Sequence, residues 1–548
     1  MKLFPLLLIS ALSLPSAFAE KKTAEEYWNE TGISSEYLLG IHILSQKVCA
    51  SSLSNLQGCV AGINSVGARA TPPLELVPAS LSKDPAFVGG MPFRSFPDFV
   101  LVARPKLAPE SSAMAAWKRE NARREKLTAA LGSLLSAGKV TSDFEKIYAN
   151  LLEFAVKDKK SDAMVAASSI TAMINASDDA HAHLDPAAKV QDSLSDASED
   201  FVGIGANLQE LNGHSIVQSP IEGGPAAKAG VLPNDMIVAI DDVSVEGVAL
   251  DEVVKKIRGT EGTVAKIKFM RKGSPIEISI KRARIVIENV EPSVHSELGG
   301  SYGYIRLRNF MDNNACKRIE GMVRKFEADK VQGIILDLRG NGGGLLDQAV
   351  CIGGLFVGRQ VIVKVKDLEK DSFEDIAAKN NQITKLPLAV LIDAGSASAS
   401  EILSGALQDH KRAWILGERS FGKASVQAPQ PFLGNDKIMF YHTVQRFYQP
   451  SGRTNQIVGI LPDLTVAAKP DATEEDRFFL REGDYFPNAL AAVGAPWKQP
   501  RPDEVSRIQS CVSSGGLALK EFARAKGASE AADYQVLAAE EALSCRVP

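Results

Sequence analysis

Gly333-Ile334-Ile335-Leu336-Asp337-Leu338-Arg339-Gly340-Asn341-Gly342-Gly343-Gly344-Leu345 reads as a buried strand that runs into a glycine turn, with a helix after the glycines. Outward from it the same alternation recurs. Tyr304-Ile305-Arg306-Leu307 is predicted as a strand and Ala315 to Asp329 as a helix. Pro387-Leu388-Ala389-Val390-Leu391-Ile392 is predicted as another strand, and Ser400 to His410 as a helix. Such alternation implies an α/β core with parallel strands.

The next strand-to-helix passage carries the chemistry. Gly395-Ser396-Ala397-Ser398-Ala399-Ser400-Glu401-Ile402 places serines where a strand feeds a helix, and Phe421-Gly422-Lys423-Ala424-Ser425-Val426-Gln427 follows downstream. A serine hydroxyl needs a base to become a nucleophile, and a desolvated, neutral lysine can supply one. Ser398-Ala399-Ser400-Glu401 is also a capping box, the bland reading of the same residues. The two are compatible, because the N–H of Ala399 lies at a positive helix end where an oxyanion would be stabilised. Spacing alone leaves Ser396, Ser398 and Ser400 in competition. Lys423 sits in a low-charge, strand-like setting, and its burial would bring it toward a pKa of about 7–8. In a continued strand Lys423, Ser425 and Gln427 share one face.

Two rival chemistries are weaker. The glycine run resembles a dinucleotide loop, with Asp367 after the candidate strand Val361 to Lys366, but GxGxxG would need glycine where Leu345 stands. Asp409-His410 invites a Ser-His-Asp triad. Asp409 lies about three helical turns past Ser398, roughly 16 Å away by helix rise, so direct contact is not expected. His410 reads as a helix-end residue favoured by the dipole.

At Phe201 the pattern changes to short strands. Val202-Gly203-Ile204-Gly205-Ala206-Asn207-Leu208 opens a module continuing through Ser215-Ile216-Val217, a short helix at Gly224 to Val231 and a strand at Asp235 to Asp241. A helix from Ala249 to Arg258 and a strand from Ala265 to Phe269 complete about eighty-five residues, a domain-sized unit. The Val202–Gly205 turn can aim backbone N–H groups at a free carboxylate, and the adjoining strand edge can pair with an extended peptide.

Together these stretches resemble the carboxyl-terminal processing proteases (tail-specific proteases, peptidase family S41), Ser-Lys serine peptidases with an embedded PDZ domain. Phe447-Tyr448-Gln449-Pro450-Ser451-Gly452 and Gly459-Ile460-Leu461-Pro462-Asp463 resemble the family's late core motifs. The resemblance covers about Ser111 to Pro470, most securely Phe201 to Asp463. It implies Ser398 as nucleophile, Lys423 as general base and Gln427 as the residue orienting the lysine. It implies an oxyanion hole from the N–H groups of Ala399 and Gly344, with Gly343 left open as the alternative, and Asp409 as structural support. Val202, Gly203, Ile204 and Gly205 would bind the substrate's end. Two departures stand out. Gly342 occupies a position where the family commonly has proline, and Asp179-Ala180-His181-Ala182-His183-Leu184 only loosely echoes the family's Asp-Pro-His-Ser-x-Tyr-Leu stretch.

The ends and the composition set the context. Lys2, the apolar stretch Leu3 to Leu14 and the small-x-small site Ala17-Phe18-Ala19 form a signal peptide, so cleavage is expected after Ala19. The apolar run is short for a membrane span, and no later segment reads as transmembrane. Net charge is −4 with no long basic block, which argues against nucleic acid as a partner. The six cysteines of an exported chain invite disulfides. Cys49 with Cys59 and Cys511 with Cys545 pair by proximity, leaving Cys316 and Cys351 as a third pair or as free buried thiols. None shows CxxC spacing, so no zinc site is expected.

The expected organisation is a multidomain α/β protein with a strand-helix alternating protease core. Residues 1–19 are the signal peptide, 20–110 an N-terminal extension with an extended segment from Thr71 to Pro109, and 111–198 a helical region. The PDZ domain takes 199–285, the protease core 286–470 and a helical extension 471–548. Asp178 to Asp185 is expected as a polar connector. The function expected is that of an exported, periplasmic endopeptidase that cuts free C-terminal protein tails without cofactor or metal. Adaptor proteins or self-assembly are the controls that the resemblance implies. The alternative is an inactive PDZ-bearing peptide receptor on the same scaffold.

Overall fold

The computed structural model describes residues 24–33, 46–70, 73–89, 94–105, 113–155, 162–177, 179–190, 201–211, 214–221, 223–245, 248, 250–285, 289–296, 300–468, 473, 478–486, 489–493, 499, 501–512 and 533–545. The signal peptide and its cleavage site lie outside the described residues. Among the described residues no helix is long and apolar enough to cross a membrane.

The core is a six-stranded sheet. Tyr302–Leu307, Gly333–Asp337, Leu388–Ile392, Trp414–Gly417 and Leu464–Thr465 run parallel in that order, and Val290–His295 closes one edge antiparallel. Gly333–Asp337 and Leu388–Ile392 are buried at every position, because both faces of the sheet are covered. Ile334, Leu336, Val390 and Ile392 face the helices Ala315–Ala328, Leu346–Val357 and Ala399–Asp409. Ile335, Ala389 and Leu391 face the opposite way, against Val536, Ala539 and Leu543 of the helix Tyr534–Ser544 and Ile508 of a helix over 502–512. The C-terminal extension is therefore the second cover of the core sheet. Arg339 fixes it beside the glycine turn, pairing with Asp337 within its own strand end and with Asp533 at 2.6 Å.

A second, antiparallel sheet stands next to the core. It orders Ser372–Ala377, Val361–Asp367, Asn435–Tyr448 and Ser425–Phe432, and His183–Pro186 adds to Asn435–Tyr448. The connector expected at 178–185 thus ends in a strand, because Leu184 turns inward against Ile438 and Phe440. The 111–198 region is accordingly not all helix, although Ala113–Ser136, Phe144–Ala155 and Asp162–Ser177 are. The segment expected to wrap as extended chain at 71–109 instead pairs with itself: Leu74–Pro78, Phe99–Ala103 and Arg94–Ser95 form a small sheet over the helix Leu53–Gly67. Buried Leu74, Leu76, Phe99 and Leu101 supply the apolar area that drives it inward.

The module from Phe201 has a sheet ordered Ser274–Lys281, Val264–Arg271, Met236–Ile240, His214–Pro220, Ala206–Leu211. Among the described residues Ala206–Leu211 is one edge of this sheet and Ser274–Lys281 the other, and the helix Leu250–Ile257 packs beside Ala206–Leu211. Three disulfides join Cys49 to Cys59, Cys316 to Cys351 and Cys511 to Cys545. The middle one links two helices that flank the glycine turn.

Candidate active site

The three serines separate once their surroundings are known. Ser396 is fully buried, and its hydroxyl donates to the Leu338 carbonyl at 2.8 Å while accepting the Asp393 N–H at 3.0 Å. Ser400 is equally buried and donates to the Asn341 carbonyl at 2.7 Å. Both hydroxyls hold the fold. Ser398 sits half-buried at the helix entrance with φ 53° and ψ −111°, a backbone state that costs a non-glycine residue about 1–3 kcal/mol. Its N–H donates to the Glu401 carboxylate at 3.0 Å and its carbonyl accepts the Glu401 N–H at 2.9 Å, so the expected capping box holds the elbow from behind.

The glycine turn packs directly on this elbow. A methyl group built on Gly343 would stand 2.9 Å from the Ser398 Cβ and 3.0 Å from the Ala399 nitrogen, so only glycine fits. Asn341 sets the contact: its carbonyl accepts the Ala397 N–H at 3.0 Å as well as the Ser400 hydroxyl, and its side chain accepts the Gly343 N–H at 2.9 Å. The Gly343 N–H is therefore engaged, which favours Gly344 over Gly343 as an oxyanion donor. Among the described residues neither the Gly344 N–H nor the Ala399 N–H has a protein acceptor. Gly342, the position where proline was expected from the resemblance, has open space where a side chain would project.

Lys423 lies two residues before the strand Ser425–Phe432, so the expected strand begins later than the sequence suggested. Glu401 connects it to the serine. One carboxylate oxygen of this fully buried residue accepts the N–H groups of Ser398, at 3.0 Å, and Lys423, at 2.9 Å. The other accepts the Ser420 hydroxyl at 2.6 Å and the Gly422 N–H at 2.8 Å. Two backbone nitrogens sharing one oxygen must be close neighbours. Burial pushes the Glu401 carboxyl up to about 7 even though these four donors favour its charged form. The Lys423 ammonium donates to the Gln427 side-chain oxygen. Burial holds this lysine below its usual value, against the opposing charges of Glu482, Asp179 and Glu401.

Sequence reasoning missed part of the lysine's support. The Gln427 amide donates to Ser425 and Thr443, each at 3.0 Å, and Thr443 in turn donates to Asp179 through its N–H at 2.6 Å and hydroxyl at 3.0 Å. His181 meets Glu482 at 2.7 Å. The loose family echo at 179–184 was the available signal. Asp409 is remote from the elbow: it accepts the Ser451 N–H at 2.9 Å and pairs with Arg453 at 3.0 Å. His410 is bound to the Val361 carbonyl at 2.7 Å. Among the described residues neither Asp409 nor His410 makes a hydrogen bond or ion pair with Ser398, so these two do not form a triad with it.

The remaining expected residues lie in the Phe201 module. Val202 and Gly203 belong to the strand Phe201–Gly203, paired with Ala283–Ile285. Ile204 is buried, and Gly205 turns at φ 70° into the edge strand Ala206–Leu211. The carbonyls of Ile204 and Gly205 accept the Ala226 and Ile221 N–H groups at 2.7 and 2.9 Å, fixing the turn.

Residues 301–466 match peptidase family S41, and residues 216–271 match the PDZ domain. The chain is 38% identical over 278 residues to a probable CtpA-like serine protease of Staphylococcus haemolyticus, covering 50% of this chain and 54% of that protein. It is 38% identical over 294 residues to a carboxy-terminal-processing protease of Bartonella bacilliformis, covering 53% and 66%. A solved structure titled photosystem II D1 C-terminal processing protease aligns at 26% identity with a TM-score of 0.46, over 61% of this chain and 89% of that one. The chain thus spans between about half and two thirds of the length of these curated relatives.

Proposed function

We propose that this chain, whose matched segments are similar to peptidase family S41 and to the PDZ domain, is a serine endopeptidase that trims protein C-terminal tails with a Ser398–Lys423 dyad. One observation carries the reading: a single buried carboxylate, Glu401, binds the backbones of both Ser398 and Lys423, beside a turn in which Gly343 leaves no room for a side chain.

In this reading neutral Lys423 takes the Ser398 hydroxyl proton as the oxygen attacks the scissile carbonyl. The Gly344 and Ala399 N–H groups receive the developing oxyanion. Collapse breaks the C–N bond, and Lys423 returns the proton to the leaving amine. Water, deprotonated by the same lysine, then attacks the acyl-enzyme; the ester C–O bond breaks and the lysine returns that proton to the Ser398 oxygen. Gln427 orients the lysine throughout. Lowering the lysine's pKa raises its neutral fraction at neutral pH, so the acid limb of kcat/KM is expected below the ordinary lysine value of about 10.4. The PDZ turn at Val202–Gly205 holds the substrate's terminal carboxylate, and the tail pairs with the edge strand Ala206–Leu211. Export to the periplasm after cleavage behind Ala19, the boundaries 199–285 and 286–470, and control by adaptors or self-assembly complete the proposal.

The test compares mature protein with Ser398→Ala and Lys423→Ala on a peptide with an apolar free C-terminus, read by mass spectrometry. Cleavage that both folded variants lose supports the dyad. Cleavage surviving in either overturns the roles assigned, and binding without any cleavage favours the receptor.

A further inference from the structure

The segment 533–545 reaches the glycine turn from behind. It lies outside residues 301–466, which match the peptidase family, yet its first residue, Asp533, meets Arg339, the residue that leads into Gly340. Asp533 caps the helix Tyr534–Ser544, where one carboxylate oxygen accepts the N–H groups of Gln535 at 3.0 Å and Val536 at 3.3 Å. The same carboxylate takes two bonds from the Arg339 guanidinium, at 3.0 and 2.6 Å. The Gln535 side-chain oxygen accepts from Arg339 at 2.8 Å, and its amide donates to the Val466 carbonyl at 2.6 Å. Paired bonds of this kind fix a guanidinium in direction as well as in place.

The other side of that guanidinium meets buried charge. Asp337 is fully buried and accepts from Arg339 at 2.9 and 3.1 Å, from Arg306 at 3.2 Å and from the Tyr304 hydroxyl at 2.7 Å. Although burial raises it, Arg339 and Arg306 hold the Asp337 carboxyl well below the usual carboxylate range. Asp337 and Asp533 thus balance Arg306 and Arg339. The Arg339 side chain is mostly buried, so loss of Asp533 would leave its charge short of compensation. The backbone carries this into the turn. The Arg339 N–H donates to Asp337 at 2.9 Å, and the next N–H, of Gly340, donates to Asp393 at 2.8 Å. The same Asp393 oxygen accepts the Gly395 N–H at 2.9 Å, at the start of the serine segment. The Asn341 N–H then closes on the Leu338 carbonyl at 3.1 Å, and the Asn341 side chain holds Gly343. Gly340 itself stands at φ 68°, so the peptides on either side of it can swing unless both ends are pinned.

We propose that Asp533 and Gln535 are positioning residues for the oxyanion turn. They fix Arg339, and through it the Arg339–Gly340 peptide from which residues 341–344 set out toward Ser398. The inference rests on the reading of Gly344 as an oxyanion donor. The C-terminal cover therefore has two parts to play on the core sheet. Its apolar side chains, Leu543 among them, bury the sheet face. Its capping carboxylate reaches past that face to the end of the strand Gly333–Asp337 and holds the turn. The Cys511–Cys545 disulfide keeps the cover in place, because it ties the helix Tyr534–Ser544 to the helix over 502–512.

Two readouts test this on the mature full-length protein, with folding checked by thermal midpoint. Asp533→Asn removes the charge at Arg339 and keeps a good helix cap. Its kcat on a tailed peptide is expected to fall about tenfold, the scale of a lost charge-assisted hydrogen bond, with KM little changed. Asp533→Glu, which returns the carboxylate, should recover part of that loss. Leu543→Ala thins the packing of the same helix without touching Arg339, so it should lower the thermal midpoint and leave kcat near wild type. The second readout is amide hydrogen exchange over residues 338–346 in Ser398→Ala protein, which follows the turn without any cleavage. The bonded N–H groups of Gly340, Asn341 and Gly343 are expected to exchange faster once Asp533→Asn is added. If even the wild type cuts nothing, the peptidase reading falls and the exchange still decides the inference. Unchanged exchange over 338–346 in folded Asp533→Asn protein overturns it. An equal loss of kcat in Leu543→Ala and Asp533→Asn overturns it as well, because the cover would then act as a stabiliser alone.

Discussion

The serine side and the lysine side of the candidate site are built differently. Ser398 and the glycine turn stand at the ends of adjacent parallel strands, Leu388–Ile392 and Gly333–Asp337, and are held by residues a few positions away in sequence or on the neighbouring strand. Lys423 stands before an antiparallel strand; Gln427 and Glu401 bind it directly, and the surrounding segments are tied together by bonds that span 264 and 301 residues, Thr443 to Asp179 and His181 to Glu482. A turn fixed by its own sheet is rigid at once. A lysine whose surroundings come from several distant segments keeps them only while all of those segments are docked.

The sharpest way to break the comparison is on the rigid side. Gly343→Ala adds a methyl group against the Ser398 Cβ and the Ala399 nitrogen at a φ of 104° that alanine rarely adopts. The turn must shift, and with it the Gly344 N–H. A fall in kcat of about 10²–10³ is expected from loss of one oxyanion donor, with KM for a tailed peptide little changed, since the PDZ domain is untouched. Steady-state kinetics decide it. Full activity would mean that the turn gives way and takes no part.

On the distributed side each support should matter less. Asp179→Ala removes the acceptor of Thr443, and Thr443 positions the Gln427 amide. A loss of about tenfold in kcat is expected, the scale of a positioning hydrogen bond of about 1–1.5 kcal/mol. The lost charge at the lysine should also move the acid limb of kcat/KM to lower pH, because Asp179 favours the charged form. Thr443→Val breaks the same chain but leaves the charge. It should lower kcat without moving the limb, and a limb that moves equally in both variants would remove Asp179's electrostatic part.

The same contrast explains what could be read from the chain alone. The parallel core was legible because strands buried on both faces are uniform apolar runs between glycines, and its predicted elements stand within two residues of the observed ones at 304–307, 315–329, 387–392 and 400–410. That the Asn341 side chain captures the Gly343 N–H, and leaves that of Gly344, could not be read from a run of glycines. Asp179 and His181 read as a polar connector for a physical reason. Their partners, Thr443 and Glu482, are chosen by tertiary docking, which leaves no local periodicity. Leu74 to Ala103 misled for the opposite reason: recurring prolines and glycines masked strand pairing that burial of Leu76, Phe99 and Leu101 decides.

The smallest effect expected separates structure from chemistry within the serine triplet. Ser396→Ala removes a buried hydroxyl that donates to Leu338 and accepts from Asp393, so it should lower unfolding stability by about 1–3 kcal/mol. Ser400→Ala removes the bond to the Asn341 carbonyl and should do the same. Neither hydroxyl points at an open position, so both variants are expected to keep kcat within about tenfold of wild type, with the loss tracking the hydrogen-bonded scaffold rather than the reaction. Denaturant melts give the stability, and initial rates on folded protein give kcat. A folded Ser396→Ala protein with no activity would move the nucleophile off Ser398, and with it the meaning of the strained elbow.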